Sequence, residues 1–286
     1  MTTDVDDKGP KAWAVQLTQL LNATGDDNRF PIKVGDLAIQ YTQQRFSEDP
    51  IKKVVGDALP GFEGALEKAP IGKKGWGILY NSSIESKGRI NFTLAHEFGH
   101  YLVHRNRYPD GIRCSEKDTI KWDSELGQVE YEANVFAAWL LMPFDDFRLH
   151  IPADAKPTLD DLSQCASRYG VSLTAATLRW LEYTSRRACF VVSTEGFILW
   201  SKPSKSALRT GGFIRTKNLP PVEVPPASLT ANNFTLETSK MHGPGIWFPE
   251  PCEEYVLRSD NYDMTLSLIH MEDRPVRDFW ENDDES

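Results

Sequence analysis

The chain predicts an α+β fold: a helical N-terminal part of about 185 residues, followed by a β-rich part. Two observations carry this. Apolar residues recur at helical spacing in Lys11–Ala23, Val34–Phe46 and Ser124–Pro143, and from about Arg186 the pattern changes to strand-like alternation. A third sets the scale, since 286 residues with 40% hydrophobic and 26% charged side chains suit one large domain or two smaller ones with a real core.

Taken in order, "KAWAVQLTQLLNA" and "VGDLAIQYTQQRF" read as the first two helices, followed by a Gly/Pro-rich connection. "GWGILYNSS" (Gly75–Ser83) reads as a strand, with Trp76, Ile78 and Tyr80 on one face and Gly77, Leu79 and Asn81 on the other. "KGRINF" is expected to form a turn and short strand leading into "NFTLAHEFGHYLVHR", which reads as a helix. "SELGQVEYEANVFAAWLLMP" is a strongly patterned helix that Pro143 closes. "TLDDLSQCASRYGVSLTAATLRWLEYT" reads as two short helices around Gly170. "RACFVVSTEGFILWSK" and "EYVLRSDNYDMTLSLIHM" alternate as strands, and the proline-rich "NLPPVEVPPAS" lies between them. No internal repeat is evident.

A net charge of −9 argues against a general binder of nucleic acid or lipid surfaces. The four cysteines, Cys114, Cys165, Cys189 and Cys252, are scattered without a CxxC pair, which fits a reducing compartment better than a disulfide framework. The start, "MTTDVDDKGP", is acidic and lacks the basic and apolar runs of a signal peptide, and no stretch has the length of a membrane span. The expected location is cytoplasmic.

The chemistry concentrates in "AHEFGH". At about 100° per residue, His96 and His100 fall about 40° apart on a helical wheel, so both imidazoles face one cleft a turn apart. Ala95, Phe98, Gly99 and Leu102 make the core-facing stripe, and Glu97 projects from the flank of the histidine face. An ion held by both histidines would have the Glu97 carboxylate beside it, placed to take a proton from water without being a ligand. Two neutral imidazoles suit Zn²⁺, which acidifies water and polarises a carbonyl. A mid-helix glycine costs about 1 kcal/mol relative to alanine, so Gly99 predicts the close approach of another element.

Catalytic zinc usually takes three protein ligands and keeps one position open. "EYEAN" offers Glu130 and Glu132. Glu130 sits about 70° from the centre of its helix's apolar stripe, flanked by Ala133 and Ala137, and is favoured; Glu132, about 90° away on the other side, looks more solvated. Asn134, a turn beyond Glu130, is placed to hydrogen-bond a ligand.

"AHEFGHYLVH" followed about thirty residues later by "EYEANVFAAWLLMP" closely resembles the ImmA/IrrE family of metallo-endopeptidases. The resemblance is specific over residues 90 to 143 and looser over Pro157–Tyr183. It implies His96, His100 and Glu130 as zinc ligands and Glu97 as the catalytic glutamate. It also implies a zincin-like metallopeptidase core with the HExxH helix and a small sheet, a helical extension, and a cytoplasmic setting. The implied substrate is a protein, often a helix-turn-helix repressor whose removal releases a stress or mobile-element response. The expected domains are 1–150 as the peptidase, 151–185 as a helical, helix-turn-helix-like segment, and 186–286 as a β-rich domain that senses a signal or binds a partner.

The expected reaction is peptide hydrolysis with Glu97 as general base, using Zn²⁺, with Mn²⁺ as the other candidate ion. The strand Gly75–Asn81 is expected to border the cleft and pair with an extended substrate. The oxyanion-stabilising group stays open among Tyr101, Tyr131 and distant residues. For His104, on the same face as His100, a structural role is preferred over lining the cleft or supporting a ligand from behind; His150, His242 and His270 read as surface or core residues. The second helix of the Gly170 pair, "SLTAATLRWLEY", has one arginine and one glutamate, too little positive charge for a DNA reader. A non-cleaving zinc protein that sequesters a repressor or toxin is the rival reading, disfavoured because a pure binder has no need of Glu97. Hydrolysis of a small amide shares the same chemistry and stays open.

Overall fold

Helices form over the segments whose apolar spacing predicts them, and also where it does not, in Phe144–His150 and Lys205–Arg209. The structure, a computed structural model, describes residues 8–24, 29–59, 61–115, 125–232, 237–259 and 263–273; the acidic first seven residues and Ser124 lie outside these. Contacts divide the chain into two units, Met1–Phe147 with Cys165–Ala175, and Arg148–Gln164 with Ala176–Ser286.

The first unit begins with α1 (Pro10–Ala23), with Pro10 at its first turn, where a missing N–H costs nothing, and α2 (Val34–Arg45). Then come β1 (Ile51–Asp57), β2 (Phe62–Lys68) and β3 (Trp76–Asn81). The helix α3 (Lys87–His104) carries the histidines, β4 (Gly111–Ser115) follows, and α4 (Glu125–Leu141) carries Glu130. Next are α5 (Phe144–His150), α6 (Leu159–Tyr169) and α7 (Leu173–Leu181), whose residues are divided between the two units. Gly170, between α6 and α7, has φ +61°, the left-handed turn that ends a helix.

The four-stranded sheet has the order β1-β3-β2-β4. β3 runs parallel to β1 and antiparallel to β2, and β2 runs antiparallel to β4. Two expectations fail here. The Gly/Pro-rich connection contains β1 and β2. β1 is an edge strand whose residues after Ile51 are mostly exposed, including Lys52 and Lys53, so it shows no apolar alternation. "KGRINF" is helical: the Ser86 side chain accepts from Arg89 N at 3.3 Å and caps α3, so the helix starts at Lys87.

The expected pairing of β3 with a substrate is also corrected. Both edges of β3 are taken, by β1 and by β2, so it has no ladder groups to offer an incoming strand. Its burial does not alternate either: Trp76, Gly77 and Ile78 are buried, and Leu79, Tyr80 and Asn81 half-buried, as expected of an internal strand.

An aromatic network fills the core beneath the helices. Phe46 packs edge-on against Trp13, Tyr41 and Tyr101, and Phe98 against Tyr41 and Phe136. The α3–α4 interface belongs to this core, and Gly99 makes it possible: a Cβ there would lie 2.9 Å from Phe136 Cδ1.

The second unit contains β5 (Ala188–Thr194), β6 (Phe197–Pro203), α8 (Lys205–Arg209), β7 (Val222–Glu223), β8 (Ser239–His242), β9 (Cys252–Ser259) and β10 (Met264–Met271). They form a six-stranded sheet in the order β7-β6-β5-β10-β9-β8, antiparallel throughout. Its core includes Val191, Ile198, Trp247, Phe248 and Ile269. Cys189 and Cys252 are buried free thiols in this core, and burial pushes them up to about 12 and about 11, out of reach of ordinary thiolate chemistry. Among the described residues, no helix is long and apolar enough to cross a membrane.

Candidate metal centre

Two packed helices build the site. α3 presents His96, Glu97, His100 and His104, all buried, although a helix that merely covered a core would turn such residues outward. α4 meets it with Glu130, 5% exposed, from beside Ala133 and Ala137.

His96 Nε2 lies 3.2 Å from Glu130 Oε2, His100 Nε2 lies 3.4 Å from Glu130 Oε1, and the two Nε2 atoms are 2.9 Å apart. Ligands at about 2.0–2.1 Å from a tetrahedral ion stand roughly 3.3 Å from one another. The three separations therefore match a shared ion, and among the described residues this is the group of His, Cys, Asp and Glu side chains that converges in that way.

The outer nitrogens are also held. His96 Nδ1 lies 3.0 Å from Asn134 Oδ1, so this ring donates to the amide oxygen and keeps Nε2 towards the cluster. His100 Nδ1 lies 3.1 Å from His104 Nδ1, and His104 Nε2 lies 3.0 Å from Glu132 Oε2. Glu132 thus contacts His104 and stands apart from the three-donor group, and His104, for which a structural role was preferred, touches a member of that group. The i+4 spacing of His100 and His104 was the signal for this contact.

Electrostatics follow from burial. Burial, helped by the charge of His96, lowers His100 to about 3, so its imidazole is neutral at neutral pH. Burial disfavours charge on His96 too, but the Glu130 hydrogen bond and the charges of Glu97 and Glu130 outweigh it and raise that histidine. Burial would raise Glu130, yet the two neighbouring imidazoles, His100 and His96, hold it well below the usual carboxylate range.

Glu97 differs from Glu130. Burial, with the Glu130 charge adding to it, pushes the Glu97 carboxyl up to about 8 against the opposing pull of His96, and its buried Oε2 has no hydrogen-bond partner among the described residues. A buried polar atom left in this way calls for a partner such as a water or an ion, and here it lies beside the three donors. β2 makes room for it: a Cβ on Gly64 would lie 2.8 Å from Glu97 Oε1 and 2.6 Å from Thr93 Cγ2. Gly64 escapes the sequence because it falls in the stretch read as a Gly/Pro-rich connection; within β2 it marks a close approach.

The other candidates take ordinary places. Tyr101 is buried and its hydroxyl donates to Asp49 O at 2.7 Å, which removes it as an oxyanion donor; Tyr131 is 46% exposed. His150 is exposed, His242 pairs with Glu254, and His270 reaches Pro157 O at 2.9 Å. Arg179, the one arginine of the would-be recognition helix, is buried and paired with Glu182 at 2.6 Å, so it cannot serve a phosphate backbone.

The profile of a peptidase family described as the IrrE N-terminal-like domain matches residues 53–181, a span that holds α3, α4 and every residue of the centre. Residues 53–181 belong to the ImmA/IrrE family. Membership of this segment suggests metallopeptidase activity and, with it, a protein substrate. No curated protein matches the chain. For this family domain, the three converging donors are the residues able to hold the ion that a metallopeptidase needs.

Proposed function

We propose that this protein is a zinc-dependent endopeptidase with a zincin-like core that hydrolyses a peptide bond in a specific regulatory protein, a helix-turn-helix repressor being the preferred substrate. In this reading His96, His100 and Glu130 are the metal ligands and Glu97 is the catalytic base. Residues 1–150 are the peptidase domain, 151–185 a helical segment, and 186–286 a sensory or partner-binding domain. The supporting observation is the pairing of a three-donor cluster with a carboxyl, Glu97, that is buried beside it with no partner for Oε2 among the described residues.

Zn²⁺ held by the three donors would polarise the scissile carbonyl and acidify water, with Mn²⁺ as the other candidate. Glu97 takes a proton from the attacking water as the C–O bond forms, and returns it to the amine as the C–N bond breaks. Asn134 keeps the His96 ring turned towards the cluster. The buried interface between α3 and α4 leaves the donors little exposed, which strengthens the charge interactions among them.

The test is to incubate the zinc-loaded protein with candidate repressors and compare it with Glu97→Gln. The expected result is fragmentation by the native chain, lowered at least about 100-fold in the variant with zinc still bound. Equal fragmentation by both would remove Glu97 from the chemistry. Capture of the repressor without cleavage by either protein would favour the sequestering reading.

A further inference from the structure

His100 and His104 face each other through like atoms, Nδ1 to Nδ1 at 3.1 Å, and both rings are buried. One nitrogen of such a pair must donate and the other accept. The direction is set at the far end. Glu132 Oε2 lies 3.0 Å from His104 Nε2, and its other oxygen accepts from Gln128 Nε2 at 2.8 Å. An ionised carboxylate only accepts, so His104 carries its proton on Nε2 and offers the Nδ1 lone pair. His100 must then donate from Nδ1, which leaves the Nε2 lone pair on the side of His96 and Glu130.

From this chain of contacts we propose that Glu132 and His104 are positioning residues that fix the tautomer and ring angle of His100, so that Nε2 is prepared to bind a metal ion. The inference rests on the reading of His100 as a ligand given above. A free histidine in water prefers its proton on Nε2, the tautomer that cannot bind through that atom, so the relay reverses an intrinsic preference. The two ligand histidines are thus oriented by different means: His96 directly by an amide on α4, His100 through an intervening imidazole whose anchor is also on α4. Both anchors lie on the helix that supplies Glu130, so docking α4 onto α3 orders all three donors together.

The test uses full-length protein labelled with ¹⁵N-histidine, in two-bond ¹H–¹⁵N correlation spectra, with zinc affinity measured by chelator competition. The native chain freed of metal by a chelator is expected to hold the His100 proton on Nδ1. His104→Phe, which cannot accept, should move that proton largely to Nε2 and weaken zinc binding about 10- to 100-fold. Glu132→Ala, at a half-buried position where folding is not at risk, should act in the same direction by a smaller factor. The double variant should be no weaker than His104→Phe alone, because one residue acts through the other. A His100 proton on Nε2 in the native chain, or zinc affinities of both single variants within about twofold of native, would overturn the inference. A native chain that holds zinc and shows the expected tautomer but cleaves nothing would sink only the peptidase reading.

Discussion

Each unit buries a carboxylate against a histidine, and the two places differ in what completes them. In the β-rich unit Glu254 is fully buried and its oxygens accept from Leu229 N at 2.8 Å, Thr230 N at 2.9 Å and the Thr230 hydroxyl, with His242 Nε2 2.5 Å away. The Thr230 hydroxyl in turn meets Ser267 Oγ at 2.6 Å. That carboxylate is served by the fold itself and holds the 229–230 segment against β9. In the N-terminal unit Glu130 and two imidazoles aim their atoms at one another, and Glu97 Oε2 beside them has no partner among the described residues. A buried charge alone is therefore no sign of function; the distinction is whether internal donors close the network or leave it directed at a common point.

The comparison breaks most sharply under loss of a ligand. His96→Ala should abolish tight zinc binding, and with it the rise in unfolding temperature that saturating zinc gives the native chain by stabilising the folded state about 3 kcal/mol at a hundredfold excess over Kd; zinc-dependent thermal shifts measure both. If the variant kept the shift, the ion would sit elsewhere.

Glu254→Ala should leave zinc affinity unchanged while destabilising the β-rich unit by about 3–5 kcal/mol, since it strips buried partners from His242, Leu229 and Thr230. Denaturant unfolding checks the size, and a change in zinc affinity instead would make the two clusters one system.

The third prediction concerns pH. Burial lowers His270 from 6.5 to about 4, against the hydrogen bond to Pro157 O, so in this range the unfolded chain binds the proton more readily than the folded one. Stability should fall as pH drops from about 6.5 towards 4, by up to about 3 kcal/mol in all. His270→Phe should flatten that part of the profile in urea titrations.

The smallest effect is expected at Gly64. A Cβ there would crowd Thr93 and Glu97, so Gly64→Ala should cost about 1–3 kcal/mol of stability. Cleavage should fall while zinc stays bound; a loss of zinc equal to the loss of cleavage would show that the substitution reaches the ligands as well.

How much of this was legible in the sequence depends on what each residue answers to. The donors could be found because helical geometry converts the spacing of His96 and His100 into a shared face, and because Ala133 and Ala137 mark the side of α4 on which Glu130 can be buried. Gly99 announced a close neighbour, which proves to be Phe136. The strands β1 and β2 escaped because one is a lysine-bearing edge and the other has only Gly64, Ala65 and Leu66 buried at its centre. The start of α3 escaped because capping by Ser86 decides it, and Gly88 within "KGRINF" disguised a helix. The path from Glu132 to His104 to His100 requires the rotation of α4 against α3, which no single-helix wheel supplies. For the same reason the neighbours of β3, and hence its unsuitability as a docking edge, were out of reach.

Gly99 lets a phenyl ring rest directly on the backbone of α3, one residue before His100 and about 100° round the helix from it. The gap between the two helices is gauged at that point, away from the coordinating atoms. A methyl group added there would act as a shim, and the three converging donors would be spread apart although none of them had been changed.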